Sequence, residues 1–280
     1  MPRDTFFFIG CVIAAVAVFM LFRYQRNRPP AGSSLPARRK QSGPASWLDF
    51  GSYGREVGMS LFAFAFLLLQ FSWQSAIILA AIILLHEYGH LLAYQLTGRK
   101  GNRMMLVPFF GGIAVAGAPH KNEFERAFCA LAGPGICAPL TVLAFGAWYW
   151  TDDPTLGDWA WRAFYFSAIL NLFNLLPIYP LDGAHAAESL LRSFAPNQVR
   201  TGMIALSAAG LLAVAAMGYY QTFIIFAIFA FLSMSGMRDG VRLPRLGGHD
   251  AVLVLVGYGV LAAVHAMGVY LYFYPPVFFQ

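Results

Sequence analysis

The feature that most constrains this chain is a series of long apolar stretches separated by short polar loops. A bilayer core about 30 Å thick is crossed by about twenty apolar helical residues. Only 11% of the 280 residues are charged and 59% are apolar, whereas roughly a quarter of the residues in a soluble domain are charged. We therefore predict an all-α polytopic membrane protein embedded in the lipid bilayer. Its eight predicted transmembrane helices are residues 5–22, 57–73, 75–97, 124–150, 160–176, 201–219, 221–237 and 251–273.

The basic residues predict how these helices are oriented. When the eight helices alternate across the bilayer, only Arg3 and Arg162 of the nineteen Lys and Arg residues fall on one side. Positive charge accumulates in cytoplasmic loops, so we predict an outside N-terminus. A cleaved signal peptide is the alternative for residues 1–22, but there the basic residues follow the apolar run instead of preceding it. Because no basic stripe is interleaved with aromatic residues, nucleic acid is not a predicted partner.

One predicted transmembrane helix contains the sequence His-Glu-x-x-His, formed by His86, Glu87 and His90. Ionisable groups inside an apolar helix are costly, which makes them candidates for function. Side chains four residues apart project from the same helix face, so both imidazoles can bind one tetrahedral ion while Glu87 serves as a general base. The alternative is that all three are interior polar groups bonded to neighbouring helices, which leaves their catalytic order unexplained.

Asp182 is the best candidate for a third metal ligand. A catalytic zinc site usually takes three protein ligands and keeps one position open. The predicted helix 160–176 ends on the same side of the membrane as the histidine pair, and Pro177 and Pro180 break the chain so that Asp182 can turn inward. The alternative is that Asp182 caps the helix that begins near Ala184.

These motifs together resemble the site-2 protease family of intramembrane zinc metalloproteases. The sequence from Asn174 to Gly183 has the order N-x-x-P-x-x-x-L-D-G, and residues 132–135 read AGPG. The likeness covers roughly residues 57–195. The chain departs from the family's usual pattern at Cys137, where Asn is common, and at Ala184, where a second Gly is common.

The resemblance implies a function and a set of site residues. It implies one Zn²⁺ per chain, with Glu87 as catalytic base and Asn174 holding the substrate backbone or the developing oxyanion. The implied metal ligands are His86, His90 and Asp182. Single-span membrane proteins would be the substrates, cut from the cytoplasmic side of a bacterial inner membrane. A zinc-binding transporter or sensor is the alternative function, and an inactive scaffold a further one.

The likeness also suggests a division of the chain into three parts. Residues 1–56 form an N-terminal transmembrane anchor with a basic linker, 57–195 the metalloprotease core, and 196–280 C-terminal transmembrane helices.

A short segment between two predicted helices cannot span the bilayer. Residues 104–119 contain two apolar runs around Gly111 and Gly112, which predicts a β-hairpin entering the membrane from the inside. Family members are similar in having a re-entrant hairpin here. Its open edge can pair with an extended substrate; the alternative is a loop that covers the mouth of the site.

Asn171, near the helix break, is interpreted as satisfying freed backbone groups.

Overall fold

The structure is a computed structural model that describes residues 53–99, 102–107, 111–216, 227 and 243–274. Within these residues the chain forms seven helices and one two-stranded sheet. The predicted helix 5–22 lies outside the described residues, as does 221–237 apart from residue 227. The elements are α1 (Tyr53–Gln70), α2 (Trp73–Leu96), β1 (Arg103–Val107), β2 (Gly111–Val115), α3 (Glu123–Trp150), α4 (Pro154–Asn174), α5 (Asp182–Phe194), α6 (Val199–Ala216) and α7 (Gly248–Phe273).

Three of these helices, α2, α3 and α7, are long and apolar enough to cross a membrane. They match the predictions 75–97, 124–150 and 251–273. Helices α1 and α6 contain shorter apolar segments, and α4 is interrupted by polar residues. The mostly helical fold is therefore confirmed, while the total of eight transmembrane helices stays a prediction.

Helix α4 begins earlier than the apolar pattern predicts. The side chain of Asp153 accepts hydrogen bonds from the backbone N–H groups of Thr155 and Leu156, and Pro154 occupies the first helical turn. An Asp cap followed by Pro is a strong start signal, because the cap satisfies free N–H groups and Pro lacks one. The helix therefore starts in the polar loop, ahead of the predicted residue 160.

Helices α2 and α4 run in the same direction, as the predicted alternation requires. Arg162, in the first half of α4, donates to the Ser75 hydroxyl at the start of α2 over 2.8 Å. Further along both helices, His86 and Asn171 are also 2.8 Å apart. The two helices therefore bring their later halves to the same depth.

Strands β1 and β2 form an antiparallel hairpin, which confirms the predicted β-structure in this segment, but Gly111 and Gly112 begin β2 instead of lying between the two strands. Leu106 pairs with Gly112, and Met104 pairs with Ala114. The backbone N–H of Leu106 donates to the Ser60 hydroxyl over 3.1 Å, so the outer edge of β1 lies on α1. Strand β2 lies on the other side of the hairpin, against α2.

Helix α7 packs across α3 and α4 and is fixed by two polar contacts. His265, which is fully buried, donates from Nε2 to the carbonyl of Pro134 over 3.2 Å. The Tyr258 hydroxyl donates to the carbonyl of Leu175 over 2.5 Å. Gly268 lies where a Cβ would meet the Ala168 side chain at 2.7 Å, so the helices approach closely.

A buried ion network joins α3 to α5. Glu188 binds both Arg126 and Arg192, and the Arg192 Nη2 to Glu188 Oε1 distance is 2.6 Å. Glu123 accepts a hydrogen bond of 2.8 Å from Ser189. Both glutamates are 2% exposed, and buried charges are tolerated when they are paired and hydrogen-bonded. This network fixes α5, and therefore its first residue Asp182, against α3.

Candidate metal centre

Three predicted ligands converge on one point inside the helix bundle. His86 Nε2 lies 3.0 Å from Asp182 Oδ2, and His90 Nε2 lies 3.2 Å from the same oxygen. The two Nε2 atoms are 3.1 Å apart. His86 and His90 are 3% and 6% exposed, while the side chain of Asp182 is 18% exposed. The structure therefore brings His86, His90 and Asp182 together although 92 residues separate the last two in sequence.

The turn that delivers Asp182 is folded tightly against the end of α4. Helix α4 ends at Asn174, and the backbone N–H of Leu175 closes its last turn. A Cβ at Gly183 would lie 2.1 Å from the Leu175 carbonyl oxygen, so only glycine lets the chain return this closely. Helix α5 then begins at Asp182 itself. Asp182 thus stands at the helix start, and its side chain is directed to the histidines.

The hydrogen bonds on the far side of each imidazole define which nitrogen carries the proton. His86 Nδ1 donates to the Asn171 side-chain oxygen over 2.8 Å, and His90 Nδ1 donates to the Cys129 carbonyl over 2.7 Å. A neutral imidazole protonated at Nδ1 has a lone pair at Nε2. Two such lone pairs and a carboxylate oxygen therefore face one another, an arrangement that can hold a cation between them.

The distances suit zinc. Nitrogen and oxygen ligands about 2.0–2.1 Å from a tetrahedral ion are about 3.3 Å from one another, close to the 3.0–3.2 Å edges here. A Cβ at Gly133 would lie 2.5 Å from His90 Nε2, so glycine leaves room beside the ligands. Among the described residues, these three form the group able to hold a metal ion. Two imidazoles and one carboxylate fit Zn²⁺ with a position left open.

Glu87 lies between the ligand pair and the hairpin. Its side chain is buried, at 6% exposure, and it contacts the backbone of Ala114 in β2. A Cβ at Gly112 would come within 2.3 Å of Glu87 Cγ. The Tyr94 hydroxyl donates to the Ala114 carbonyl over 3.5 Å. The edge of β2 that is not paired with β1, its inner edge, thus packs directly against the face of α2 that carries Glu87.

The two asparagines of α4 make different contacts. The Asn174 amide donates to the Leu170 carbonyl of its own helix over 3.1 Å, so its catalytic role stays a prediction. Asn171 is fully buried and its oxygen binds His86, beyond the backbone contact that was expected of it. No pattern distinguishes two amides three residues apart on one helix; the packing of α4 against α2 does.

The composition of the site resembles that of a known class of metal centre. Apolar helices surround a His-Glu-x-x-His segment that lies beside an aspartate from a distant element, a donor set of the kind that zinc metalloproteases use.

Comparisons with known proteins show what parts of the chain are similar to. Residues 155–216 match the model of peptidase family M50, a segment that contains Asn174 and Asp182 and follows the histidine motif. The chain is 31% identical over 129 residues to stage IV sporulation protein FB of Bacillus subtilis, which covers 45% of this chain and 43% of that protein. It is 30% identical over 133 residues to Rip3 of Mycobacterium tuberculosis, which is named as a zinc metalloprotease, over 46% of this chain and 33% of that protein. Over these segments the chain is similar to peptidase family M50 and to two curated proteins, one of which is named as a zinc metalloprotease.

These matches have limits in length. The aligned part of the chain spans less than half of the curated relatives it matches. No solved structure matches the chain significantly.

Proposed function

We propose that this chain is an intramembrane zinc endopeptidase that hydrolyses peptide bonds within or near the transmembrane segment of single-span membrane proteins. The observation that carries the proposal is the convergence of His86, His90 and Asp182, with Glu87 beside them on the same helix. A binding site for zinc alone has no need of a carboxylate next to the first ligand, whereas hydrolysis has.

The chemistry follows from the positions of these residues. His86, His90 and Asp182 would hold one Zn²⁺, which would supply the Lewis acidity that polarises a carbonyl and acidifies water. Glu87 accepts the proton of the attacking water and returns it to the leaving amine. Asn174, in the last turn of α4, is proposed to hold the substrate backbone or the oxyanion, a role that the family likeness supports. The buried setting strengthens each of these electrostatic effects.

Strand β2 is the proposed docking edge for the substrate. A transmembrane helix hides its carbonyls in hydrogen bonds, so a helical substrate must unwind before it is cut. An extended peptide can recover those hydrogen bonds by pairing with a strand edge. The outer edge of β1 is already bound to Ser60, while the inner edge of β2 faces Glu87. A peptide that pairs with β2 must displace the contacts of Glu87 and Tyr94 with this edge, and it would then pass beside the base.

The proposed topology has eight transmembrane helices, an outside N-terminus and the active site toward the cytoplasm of a bacterial inner membrane. Three apolar helices and the parallel course of α2 and α4 support it. The basic residues Arg126 and Arg192 lie at the same end of the bundle as Asp182, as expected for the cytoplasmic side.

Replacing Glu87 by Gln tests the proposal. The variant is expected to keep one zinc per chain and to lose cleavage of a single-span substrate, because Gln cannot accept the proton. Zinc content and cleavage are measured on the same purified preparation, next to the wild type. Cleavage that persists in Glu87→Gln would contradict the mechanism. Metal transport into vesicles that survives the substitution would favour a transporter instead.

A further inference from the structure

Among the residues that the structure describes, Asn171 is the side chain from another helix that hydrogen-bonds the Nδ1 of a predicted ligand histidine. Its oxygen accepts from His86 Nδ1 over 2.8 Å, and its amide nitrogen donates to the Ser167 carbonyl over 2.8 Å. The second bond fixes the amide so that the oxygen, and not the nitrogen, faces the imidazole. The thiol of Cys137 contacts the same amide. Both ends of Asn171 are therefore used, and it has no exposure to solvent or lipid.

The two ligand histidines are supported in different ways. His90 donates to a backbone carbonyl, that of Cys129, which no side-chain substitution removes. His86 depends on the side chain of Asn171. Without that acceptor, the His86 ring is free to rotate or to carry its proton on Nε2, the nitrogen that faces His90 and Asp182. A proton there blocks metal binding, because the ligand nitrogen must be unprotonated.

We infer that Asn171 is a positioning residue of the metal centre: it sets the orientation and the tautomer of His86, so that Nε2 faces the ion. The inference rests on the zinc site of the proposed function. It also explains how α4 acts at both ends of the site, since the helix that orients the first ligand leads directly into the turn that delivers Asp182. Partners of this kind typically contribute 10–100-fold to metal affinity.

The test compares zinc affinities of purified full-length variants by competition with a chelator of known affinity. Asn171→Leu keeps the approximate shape and removes the acceptor, so its zinc affinity is expected to fall about 10–100-fold. Asn171→Asp keeps an acceptor at the same position, so its zinc affinity is expected to match that of the wild type. Thr141→Val is the matched control, because the Thr141 hydroxyl is equally buried and bonds Ser167 and the Cys137 carbonyl instead of a ligand.

Each outcome decides between a positioning role and simple helix packing. Lower affinity in Asn171→Leu, with wild-type affinity in Asn171→Asp and Thr141→Val, supports the inference. Equal affinities in all four proteins overturn it and leave the proposed function intact. Loss of zinc in Asn171→Asp also overturns it, because that variant retains the acceptor, and this holds even where Asn171→Leu does not fold. A wild-type protein that binds no zinc refutes the proposed function itself.

Discussion

Gly112 is the residue at which the contact between the hairpin and the catalytic base can be tested. A Cβ at this position would lie 2.3 Å from Cγ, 2.5 Å from Oε1 and 2.6 Å from Cδ of Glu87. Carbon atoms in ordinary contact are about 3.5–4.0 Å apart. In Gly112→Ala, either Glu87 or strand β2 must therefore move by about 1.2 Å, the difference between the ordinary contact and the distance available.

A movement of this size has a predictable cost. Misplacing a reacting group by about 1 Å lowers the rate by about 100-fold, which corresponds to about 2.7 kcal/mol of activation free energy. We expect kcat/KM of Gly112→Ala to fall by this factor. Zinc content is expected to stay at the wild-type level, because the atoms that meet the new methyl group belong to Glu87 and not to a metal ligand.

The assay measures kcat/KM on a single-span substrate and zinc per chain on the same preparation. Gly259→Ala is the matched control, because no atom lies within 4 Å of a Cβ at that position on α7; its activity is expected to equal that of the wild type. Wild-type kcat/KM in Gly112→Ala would refute the close approach of β2 to the base. Loss of zinc in that variant would refute the claim that the contact involves the base alone.

Three further results are expected. Tyr258→Phe loses the 2.5 Å hydrogen bond to the Leu175 carbonyl, so its free energy of unfolding, measured by thermal unfolding in detergent, should fall by about 1 kcal/mol. Tyr270→Phe, on an exposed face of the same helix, should leave the free energy of unfolding unchanged. Burial alone raises the pKa of Glu188, but the Arg126 guanidinium outweighs burial and holds that pKa below its ordinary value. The ionised Glu188 therefore stabilises the fold fully above about pH 4.3, and this stabilisation is lost as the pH falls through the lowered pKa. Glu188→Gln should therefore unfold about 3 kcal/mol more easily at neutral pH and lose less stability on acidification than the wild type; equal acid sensitivity would contradict this assignment. Removing zinc with a chelator should lower the unfolding temperature, because the ion binds the folded chain, and the loss should be equal in the variant that lacks the base.

The cluster of His86, His90 and Asp182 could be predicted because its signal is local or chemically costly. His86 and His90 are four residues apart, and helix geometry alone places them on one face. Glu87 and Asp182 can be recognised as candidate functional residues because carboxylates are rare in a chain with 11% charged residues and are costly in an apolar setting. The three long apolar helices were predicted within a few residues for the same reason: hydropathy reports directly on burial in lipid.

The support around the ligands could not be predicted, because it depends on how distant helices pack. Asn171 and Asn174 look alike in sequence, and only the rotation of α4 against α2 determines which of them meets His86. Glu188 carries no local sign that it will be buried between two arginines. The contact of Gly112 with Glu87 joins a strand to a helix, and glycine in a short apolar run predicts a turn without identifying its neighbour.

Helix α7, whose contacts hold the surroundings of the metal centre, is the last described helix to be synthesised. Tyr258 and His265 follow Asp182 by 76 and 83 residues, so a ribosome delivers all three metal ligands to the membrane before it delivers the helix that holds their surroundings in place. Until α7 inserts, the carbonyls of Leu175 and Pro134 lack the donors that bind them in the finished fold. A nascent chain thus contains His86, His90 and Asp182 before it contains the helix whose contacts hold their surroundings in place.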